Sequence, residues 1–445
     1  MPAIETGQLG KVFVGLARRH CVPSAQLAIH VDGRTVAMTA GEVSADAKFP
    51  VGSITKAFTA SLAMLLVADD DLDVDDRIGT HLAELGTNAD SLGGKLTVRQ
   101  IMSHTSGLPS SFGEGLQEAA SRRRYLLDCR EQSLVHPPGS GFSYSNVGFV
   151  LVGRIVEEIT GMSWWDAIDA LLLKPLSIVP AFVVRPDSRF PLDSFVSGHA
   201  VSESTGKALA VAQTIRVTDA PCGALALSAK DLVAFGHAHV TGCTDPSVSA
   251  PLDPDVFREM RRVISVAEPF GLADGWGLGL AVFRGPDTDW FGHDGNADGT
   301  SCHLRIDPTN DRVVALTTNA NTGAALWEDL VDELRALDIP VGDYVAPELK
   351  QRMPASGDVL GRYANGDIEY AVDAGDDDKI ILRIDGETYP ELILHEDWLF
   401  SVQQPASGRR ILGGRFLRDP SGGRVSGIQT GGRVASRRKS STHAS

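Results

Sequence analysis

Apolar residues recur along the first 340 positions at two spacings, one typical of helices and one typical of strands. Residues 5–20 and 323–337 follow the helical spacing and predict amphipathic helices. Alternating apolar and polar residues flank Asp32-Gly33-Arg34, which predicts a β-hairpin. The predicted strands are 26–31, 35–39, 275–280, 303–306 and 313–318. We expect the hairpin and the later strands to form one antiparallel sheet.

One predicted helix is apolar at almost every position. It spans 57–68, follows a turn at 49–56 and is too short to cross a membrane. Ser53 and Lys56 lie at its N-terminal end, three residues apart and therefore on one face. A serine hydroxyl is a weak nucleophile until a base takes its proton, and burial at a helix N-terminus favours the neutral, basic form of a lysine. The pair is a candidate nucleophile and base.

The spacing of this pair is not specific by itself. Ser-x-x-Lys also occurs at Ser204, in a polar segment, and at Ser436, in the basic tail. Neither copy has an apolar helix behind it. A structural role for two common residue types is therefore the alternative interpretation.

Two further segments carry candidate polar groups. Tyr144-Ser145-Asn146 lies in a loop before a predicted helix over 148–160. The side-chain amide of Asn146 can both donate and accept hydrogen bonds. Loop capping is the alternative for this segment. His293-Asp294-Gly295 lies among the predicted strands. His104 lies in a predicted capped helix within 96–109 that is ended by Gly107 and Pro109. It could be catalytic, but a structural role is favoured for a histidine beside a helix C-terminus.

The pattern of apolar and polar residues changes after residue 340. A linker over 341–356 is followed by short alternating strands separated by Asp- and Gly-rich turns, which predicts a small all-β barrel or sandwich over 357–430. The basic, serine-rich segment 431–445 is predicted to be disordered. The first 340 residues form the other predicted domain. The predicted strands of the second domain are 368–372, 380–384, 392–394, 398–402 and 411–417.

Charge and cysteine content exclude several functions. The net charge of −16 argues against binding to nucleic acid or to an anionic membrane. Five scattered cysteines without a Cys-x-x-Cys pair predict reduced thiols rather than disulfides or zinc. His237 and His239 fall on different helix faces, so they predict no shared metal, and no cofactor is predicted. We see no secretory signal or membrane segment, and we expect a cytoplasmic protein.

The three polar segments occur in a fixed order: Ser53-x-x-Lys56, Tyr144-x-Asn146 and His293-x-Gly295. Together they resemble the serine β-lactamase and penicillin-binding-protein superfamily, especially its esterase, D-aminopeptidase and acyltransferase branch. The resemblance covers residues 5–340. It implies an α/β (α+β) fold in which helices flank a central antiparallel sheet, a helical lobe lies beside it, and the site lies between the two.

The resemblance also implies roles for the first two segments. Ser53 would be the nucleophile and Lys56 its base, in concert with Tyr144, which would relay a proton to the leaving group. Asn146 would orient Lys56 and the substrate amide. Which of Lys56 and Tyr144 takes the first proton stays open.

Further roles fall on the third segment. His293 and Gly295 would line the strand edge beside the substrate, and the backbone N–H groups of Ser53 and Asn296 would bind the oxyanion. A histidine replaces the lysine that helps other members hold a β-lactam carboxylate, which counts against β-lactamase activity.

The expected function is serine acyl transfer through an acyl-Ser53 intermediate, on an ester, small amide or peptide. With water as the acceptor the protein would be an esterase, amidase or D-aminopeptidase, and with an amine it would be a biosynthetic transacylase. A catalytically inactive member that acts as a binding or scaffold protein is the alternative. The C-terminal barrel resembles the lipocalin-like domains of some members, and we expect it to restrict substrate size or to support a homodimer.

Overall fold

The alternating segments of the first domain assemble into the predicted sheet. The computed structural model describes residues 6–111, 122–130, 132–186, 195–202, 204–242, 254–376, 379–404, 408–419 and 423–438. Its strands before residue 340 are β1 (Ala25–Val31), β2 (Arg34–Ala40), β3 (Phe49–Pro50), β4 (Ala181–Phe182), β5 (Gly198–Val201), β6 (Ala208–Val211), β7 (Leu225–Leu227), β8 (Gly275–Trp276), β9 (Ala281–Arg284), β10 (Asp289–Gly295), β11 (Ser301–Asp307) and β12 (Arg312–Thr318).

Seven of these strands form the central sheet, in the order β2-β1-β12-β11-β10-β9-β8. Neighbouring strands pair antiparallel, as predicted. Strands β3, β7 and β4 form a small separate sheet, and β5 pairs with β6. Every residue of β1 and β11 is buried, so both faces of the central sheet are covered.

Helices cover the two faces of the sheet. They are α1 (Thr6–Arg19), α2 (Thr55–Ala68), α3 (Ile78–His81), α4 (Leu92–Lys95), α5 (Val98–Met102), α6 (Arg122–Cys129), α7 (Asn146–Thr160), α8 (Trp164–Ile168), α9 (Ala220–Gly223), α10 (Ala229–Thr241), α11 (Pro254–Met260) and α12 (Gly323–Ala336). Helices α1 and α12 share one apolar core with the sheet, and α2, α7 and α10 share the other. None of the described helices has the length and apolar character needed to cross a bilayer.

The strand predicted over 275–280 is wrong beyond Trp276. The chain turns at Gly277 and Gly279, and Gly279 has a φ of +73°. A Cβ at Gly277 would lie 2.1 Å from the carbonyl oxygen of Met260, and one at Gly279 would lie 2.3 Å from the Cβ of Ala60. These glycines therefore allow close backbone approach, as predicted, but within a turn.

The C-terminal segment folds into a closed antiparallel barrel of eight strands. They are β13 (Gly361–Asn365), β14 (Ile368–Ala374), β15 (Ile380–Ile384), β16 (Glu387–Leu394), β17 (Leu399–Gln403), β18 (Arg410–Arg418), β19 (Val425–Thr430) and β20 (Arg433–Arg437). The prediction that the chain is disordered from residue 431 is wrong for 431–437, because β20 pairs with both β19 and β13 and closes the barrel. Residues 439–445 lie outside the described part.

The barrel docks on the loop that carries Tyr144. Asn365 accepts a hydrogen bond from the backbone N–H of Ser110 (2.6 Å) and donates to the hydroxyl of Ser143 (3.3 Å). The same hydroxyl accepts from the backbone of Val434, and the carbonyl of Gly432 accepts from the backbone N–H of Tyr144 at 2.9 Å. The turn between β19 and β20 therefore lies against the predicted site.

Candidate active site

Ser53 lies in a single 3₁₀ turn, Gly52–Ile54, which leads directly into α2. Lys56 lies in the first turn of α2 and is completely buried. Its Nζ donates to the Ser53 hydroxyl at 3.0 Å and to the carbonyl oxygen of Cys222 at 2.9 Å. The turn thus holds a hydroxyl and an amine in direct hydrogen-bonding contact.

The backbone carbonyl of Cys222 is a hydrogen-bond partner of Lys56 that the sequence did not predict. Helix α9 is held against α2 because Thr59 donates to the carbonyl of Pro221 (2.7 Å) and Thr55 accepts from the backbone of Leu225 (3.1 Å). Within the described part of the chain the hydrogen bonds of Lys56 go to Ser53 and Cys222, and the orienting role that the resemblance implies for Asn146 stays a prediction. A backbone carbonyl leaves no side-chain pattern by which it could be found.

His104 fixes the loop that presents Tyr144 and Asn146. Its Nδ1 accepts from the backbone N–H of Ser145 at 3.1 Å, and the Ser145 hydroxyl caps α7. Burial, and then the nearby Lys56, lower the pKa of His104 well below its ordinary value, so the ring is neutral. This hydrogen bond supports the structural role predicted for His104. Asn146 follows as the first residue of α7, anchored by its backbone to the carbonyl of Ser110.

Tyr144 lies beside Lys56. Its ring centroid is 5.1 Å from the Nζ of Lys56, and the rings of His104 and Trp276 pack against it at 4.4 and 5.8 Å. The phenol oxygen is buried and has no hydrogen-bond partner in the described part of the chain. Buried hydroxyl groups normally have a partner, so this one is available to a group that enters the site.

Two glycines let strand β10 approach the nucleophile turn. A Cβ at Gly295 would lie 1.9 Å from the carbonyl oxygen of Val51. Gly52 has a φ of +49°, and a Cβ there would lie 2.3 Å from the carbonyl oxygen of Asn296. The end of β10 and the turn are therefore in backbone contact, and Asn296 lies next to Ser53.

His293 lies on β10 as a neutral ring. Its Nδ1 is 2.5 Å from the carbonyl oxygen of Asp294; since a carbonyl only accepts, Nδ1 carries the proton and Nε2 carries the lone pair. Burial, and then the charge of Lys56, lower the pKa of His293 to about 4. His293 thus offers a buried hydrogen-bond acceptor beside the site.

The carboxylate of Asp294 is neutralised by its own partners. Arg305 is fully buried and donates to Asp294 (2.6 Å) and Asp343 (2.6 Å), and His303 contacts Asp294 at 2.8 Å. Burial alone would raise the pKa of Asp294, but Arg305 and His303 outweigh it and hold the pKa below its usual range. Asp294 therefore supports the strand and is not a free base.

Two cavities meet at Ser53, and both are also lined by Asn146 and Asn296. The first, which we call the tyrosine cavity, has a volume of about 290 Å³ and is lined further by Tyr144, Leu272, Trp276, Ala281, Phe283, His293, Asp294 and Arg433. The second, which we call the polar cavity, has a volume of about 420 Å³ and is lined further by Gly52, Ser111, Tyr125, Gln213, Thr214, Ile215, Arg216, Asp219, Cys222, Gly223, Ala297 and Asp298.

Arg433 reaches the tyrosine cavity from the barrel. Its Nε donates to the hydroxyl of Ser110 at 2.8 Å, and its guanidinium lies 5.0 Å from the centroid of the Tyr144 ring. Sequence reasoning placed this residue in a disordered tail. A usable signal existed, because Gly431-Gly432 separates two runs of alternating residues, as in a tight β-hairpin.

Comparisons with known proteins agree with this architecture. The family model described as Beta-lactamase matches residues 9–338. The chain is 29% identical over 337 residues to "Penicillin-binding protein 4" of Amycolatopsis lactamdurans, covering 72% of this chain and 87% of that protein.

Solved structures extend the likeness to the barrel. The crystal structure of SurE superposes with a TM-score of 0.85 at 37% identity, covering 98% of this chain and 99% of that one, and SurE has also been solved with D-Leu. A D-amino acid amidase from Ochrobactrum anthropi SV3 shares the fold at 20% identity and a TM-score of 0.62, covering 74% of this chain and 99% of its own.

Proposed function

The chain belongs to the beta-lactamase family, and from this premise we propose that it is a serine acyl-transfer enzyme that forms an acyl ester on Ser53 and passes the acyl group to an amine. The observation that carries the proposal is the meeting of two cavities at Ser53. Each cavity is large enough for a small organic group, so the site has room for the acyl chain and for a second molecule.

Acylation begins with attack of the Ser53 oxygen on the substrate carbonyl. The proton of the hydroxyl passes into the pair formed by Lys56 and Tyr144, and from there to the leaving group as its bond to the carbonyl carbon breaks. The backbone N–H groups of Ser53 and Asn296 stabilise the oxyanion. In the second step the acceptor attacks the ester carbonyl, gives its proton to the same pair, and Ser53 regains its hydrogen.

Tyr144 distinguishes the two cavities. The group that relays a proton to the leaving group must lie beside it, so the leaving group, and afterwards the acceptor, occupy the tyrosine cavity. The acyl chain then lies in the polar cavity, where Asn146 and Gln213 offer amide groups to a peptide-like chain.

The walls of the tyrosine cavity favour an organic amine over water. Its walls include the apolar side chains Leu272, Trp276 and Phe283. Such walls make favourable contacts with the carbon atoms of an organic amine and none that stabilise a water molecule. Neutral His293 carries a lone pair that can accept from an incoming N–H. The guanidinium of Arg433 repels an ammonium ion but not a neutral amine, which is the form able to attack.

The acyl donor is proposed to carry a D-configured residue at the reacting carbonyl. SurE, which is 37% identical over nearly the whole chain, has been solved with D-Leu. Ester or amide derivatives of N-acyl D-amino acids, and peptides ending in a D residue, are the corresponding class of donor.

The test supplies 4-nitrophenyl esters of N-acetyl-D-leucine and N-acetyl-L-leucine to the full chain, with and without leucinamide as the amine. Products are separated and identified by mass. We expect faster turnover of the D ester and a dipeptide amide as the main product when amine is present. Ser53→Ala is the control for uncatalysed aminolysis.

Each alternative gives a different result. Free N-acetyl-leucine as the main product at every amine concentration would make the protein a hydrolase. Equal rates for the two enantiomers would refute the D preference. No turnover above the Ser53→Ala control with any donor would favour the inactive binding protein.

A further inference from the structure

A second cluster of polar side chains lies at the opposite end of the central sheet from Ser53. Its members are His30 on β1, His237 on α10 and Asp311 in the turn that joins β11 to β12. His30 pairs with Val313 near the start of β12, whereas Gly295, beside Ser53, pairs with Cys302 near the start of β11. Because β11 and β12 are antiparallel, these positions lie at different ends of the sheet.

The three side chains point at one another. Asp311 places one carboxylate oxygen 3.5 Å from the Nε2 of His30 and the other 3.3 Å from the Nε2 of His237. The two imidazole rings have centroids 4.2 Å apart. One nitrogen from each histidine and a carboxylate oxygen all lie within 4.8 Å of one another.

The deepest member of the cluster, His30, directs one buried ring nitrogen toward Asp311. His30 is 7% exposed, and its Nε2 is buried without a hydrogen-bond partner in the described part of the chain. Its other nitrogen, Nδ1, lies 2.9 Å from the hydroxyl of Thr35. When Nδ1–H donates to that hydroxyl, Nε2 directs its lone pair into the cluster, which is the arrangement that orients metal-binding histidines.

We propose that His30, His237 and Asp311 form a site for a divalent transition-metal ion, with zinc as the ion that the donor set fits best. Two imidazole nitrogens, one carboxylate oxygen and a water give four ligands, as zinc prefers. Tetrahedral bonds of about 2.0–2.1 Å place ligand atoms about 3.3 Å apart. The distances from the two histidines to Asp311 are close to this value, but they join different carboxylate oxygens, so a rotation of the carboxylate is needed to bring one oxygen to both histidines.

Rotation of the His237 and Asp311 side chains is enough to bring the three ligand atoms around one ion. His237 and Asp311 are each more than a third exposed, so they can rotate and an ion can enter from solvent. Bound zinc would join a strand, a helix and a turn of the same domain. The site therefore acts on stability, and its distance from Ser53 leaves the rate of acyl transfer unchanged.

The experiment uses the full chain without a polyhistidine tag, stripped of metal with a chelator and dialysed. Zinc chloride is titrated by calorimetry, and cobalt(II) chloride is followed by its visible absorption, which reports coordination by protein ligands. The variants are His237→Gln and Asp311→Asn, both at positions open to solvent. His20→Gln is the matched control, since His20 also contacts an aspartate, Asp329, but without a second histidine.

We expect one zinc ion per chain, a higher melting temperature with zinc, and a loss of affinity of at least tenfold in His237→Gln and Asp311→Asn. His20→Gln should bind zinc as the wild type does. The proposal is overturned if the wild type binds no stoichiometric zinc, or if His237→Gln and Asp311→Asn bind it as tightly as the wild type.

Discussion

Replacing Tyr144 by phenylalanine separates the chemical role of its hydroxyl from any structural role. The ring is 4% exposed and packs against His104 and Trp276, and phenylalanine keeps all of that packing. Only the phenol oxygen is lost, and it is buried without a hydrogen-bond partner in the described part of the chain. An unsatisfied buried hydroxyl costs about 1–3 kcal/mol, so Tyr144→Phe should raise the free energy of unfolding by about 1 kcal/mol.

The same change should remove most of the activity. Proton transfer by a positioned group contributes about 10²–10⁴-fold to a rate, and the proposed relay to the leaving group depends on this oxygen. We expect kcat on the N-acetyl-D-leucine ester to fall by about 10²–10⁴-fold. Urea unfolding followed by tryptophan fluorescence measures stability, and release of 4-nitrophenol measures kcat.

Tyr363→Phe is the matched control. Tyr363 is also buried, but its hydroxyl donates to the carbonyl of Val359 at 2.6 Å inside the barrel. Losing that bond should cost about 1 kcal/mol of stability and leave kcat unchanged. A proton-relay role for Tyr144 is refuted if Tyr144→Phe keeps kcat within about tenfold of wild type, and an unsatisfied hydroxyl is refuted if this variant is destabilised as Tyr363→Phe is.

Three further predictions concern the barrel, the strand edge and acid stability. Arg433→Ala loses a hydrogen bond to Ser110 and the contact with the Tyr144 ring, so kcat/KM should fall about tenfold to a hundredfold, while Arg424→Ala, at an exposed position, should not change it. Equal activity of the two variants would refute a role for the barrel in the site. Gly295→Ala places a Cβ 1.9 Å from the carbonyl oxygen of Val51 and must displace β10, so the acylation rate in stopped flow should fall about a hundredfold, and a wild-type rate would contradict the contact. Burial, and then Lys56, lower the pKa of His293 to about 4, against about 6.5 when unfolded, so stability present above pH 6.5 is lost as the pH falls to 4, by up to about 3 kcal/mol. His293→Asn should flatten that part of a urea-midpoint series against pH, and an unchanged slope would show that His293 is not the titrating group.

The fold was predictable for elements that bury one face, because burial of one face produces a regular spacing of apolar residues. Alternation around Asp32-Gly33 predicted the first hairpin, and the helix before Gly161 ends there because that residue adopts a φ of +67°. The prediction of one antiparallel sheet is confirmed, but the sequence did not predict its strand order, in which β1 pairs with β12 across nearly the whole domain. The turn at 277–280 was not predictable, because apolar residues buried in a turn follow the same pattern as a strand.

The candidate site was predictable only in part. Ser53, Lys56 and Tyr144 lie together in the structure, as the resemblance implied, and their chemical roles stay predictions. The carbonyl of Cys222 and the guanidinium of Arg433 were missed. The first is backbone, and the second comes from a domain whose position on the site depends on contacts distant in sequence, such as that of Asn365 with Ser110.

The cluster of His30, His237 and Asp311 shows the same limit. Along the sequence, His237 and His239 are two positions apart and fall on different helix faces, so this pair predicts no metal site. The partners of His237 in the fold come instead from a strand and a turn. Only the packing of α10 on the sheet brings them together.

The mass of the intact protein tests the acyl-Ser53 intermediate most directly. Wild type and Ser53→Ala are mixed briefly with the N-acetyl-D-leucine ester, with and without leucinamide, and quenched in acid. We predict an added N-acetyl-leucyl group on the wild type alone, cleared faster when the amine is present. An adduct on both proteins would contradict acylation of Ser53. An adduct that disappears at the same rate with and without leucinamide would contradict transfer of the acyl group to an amine.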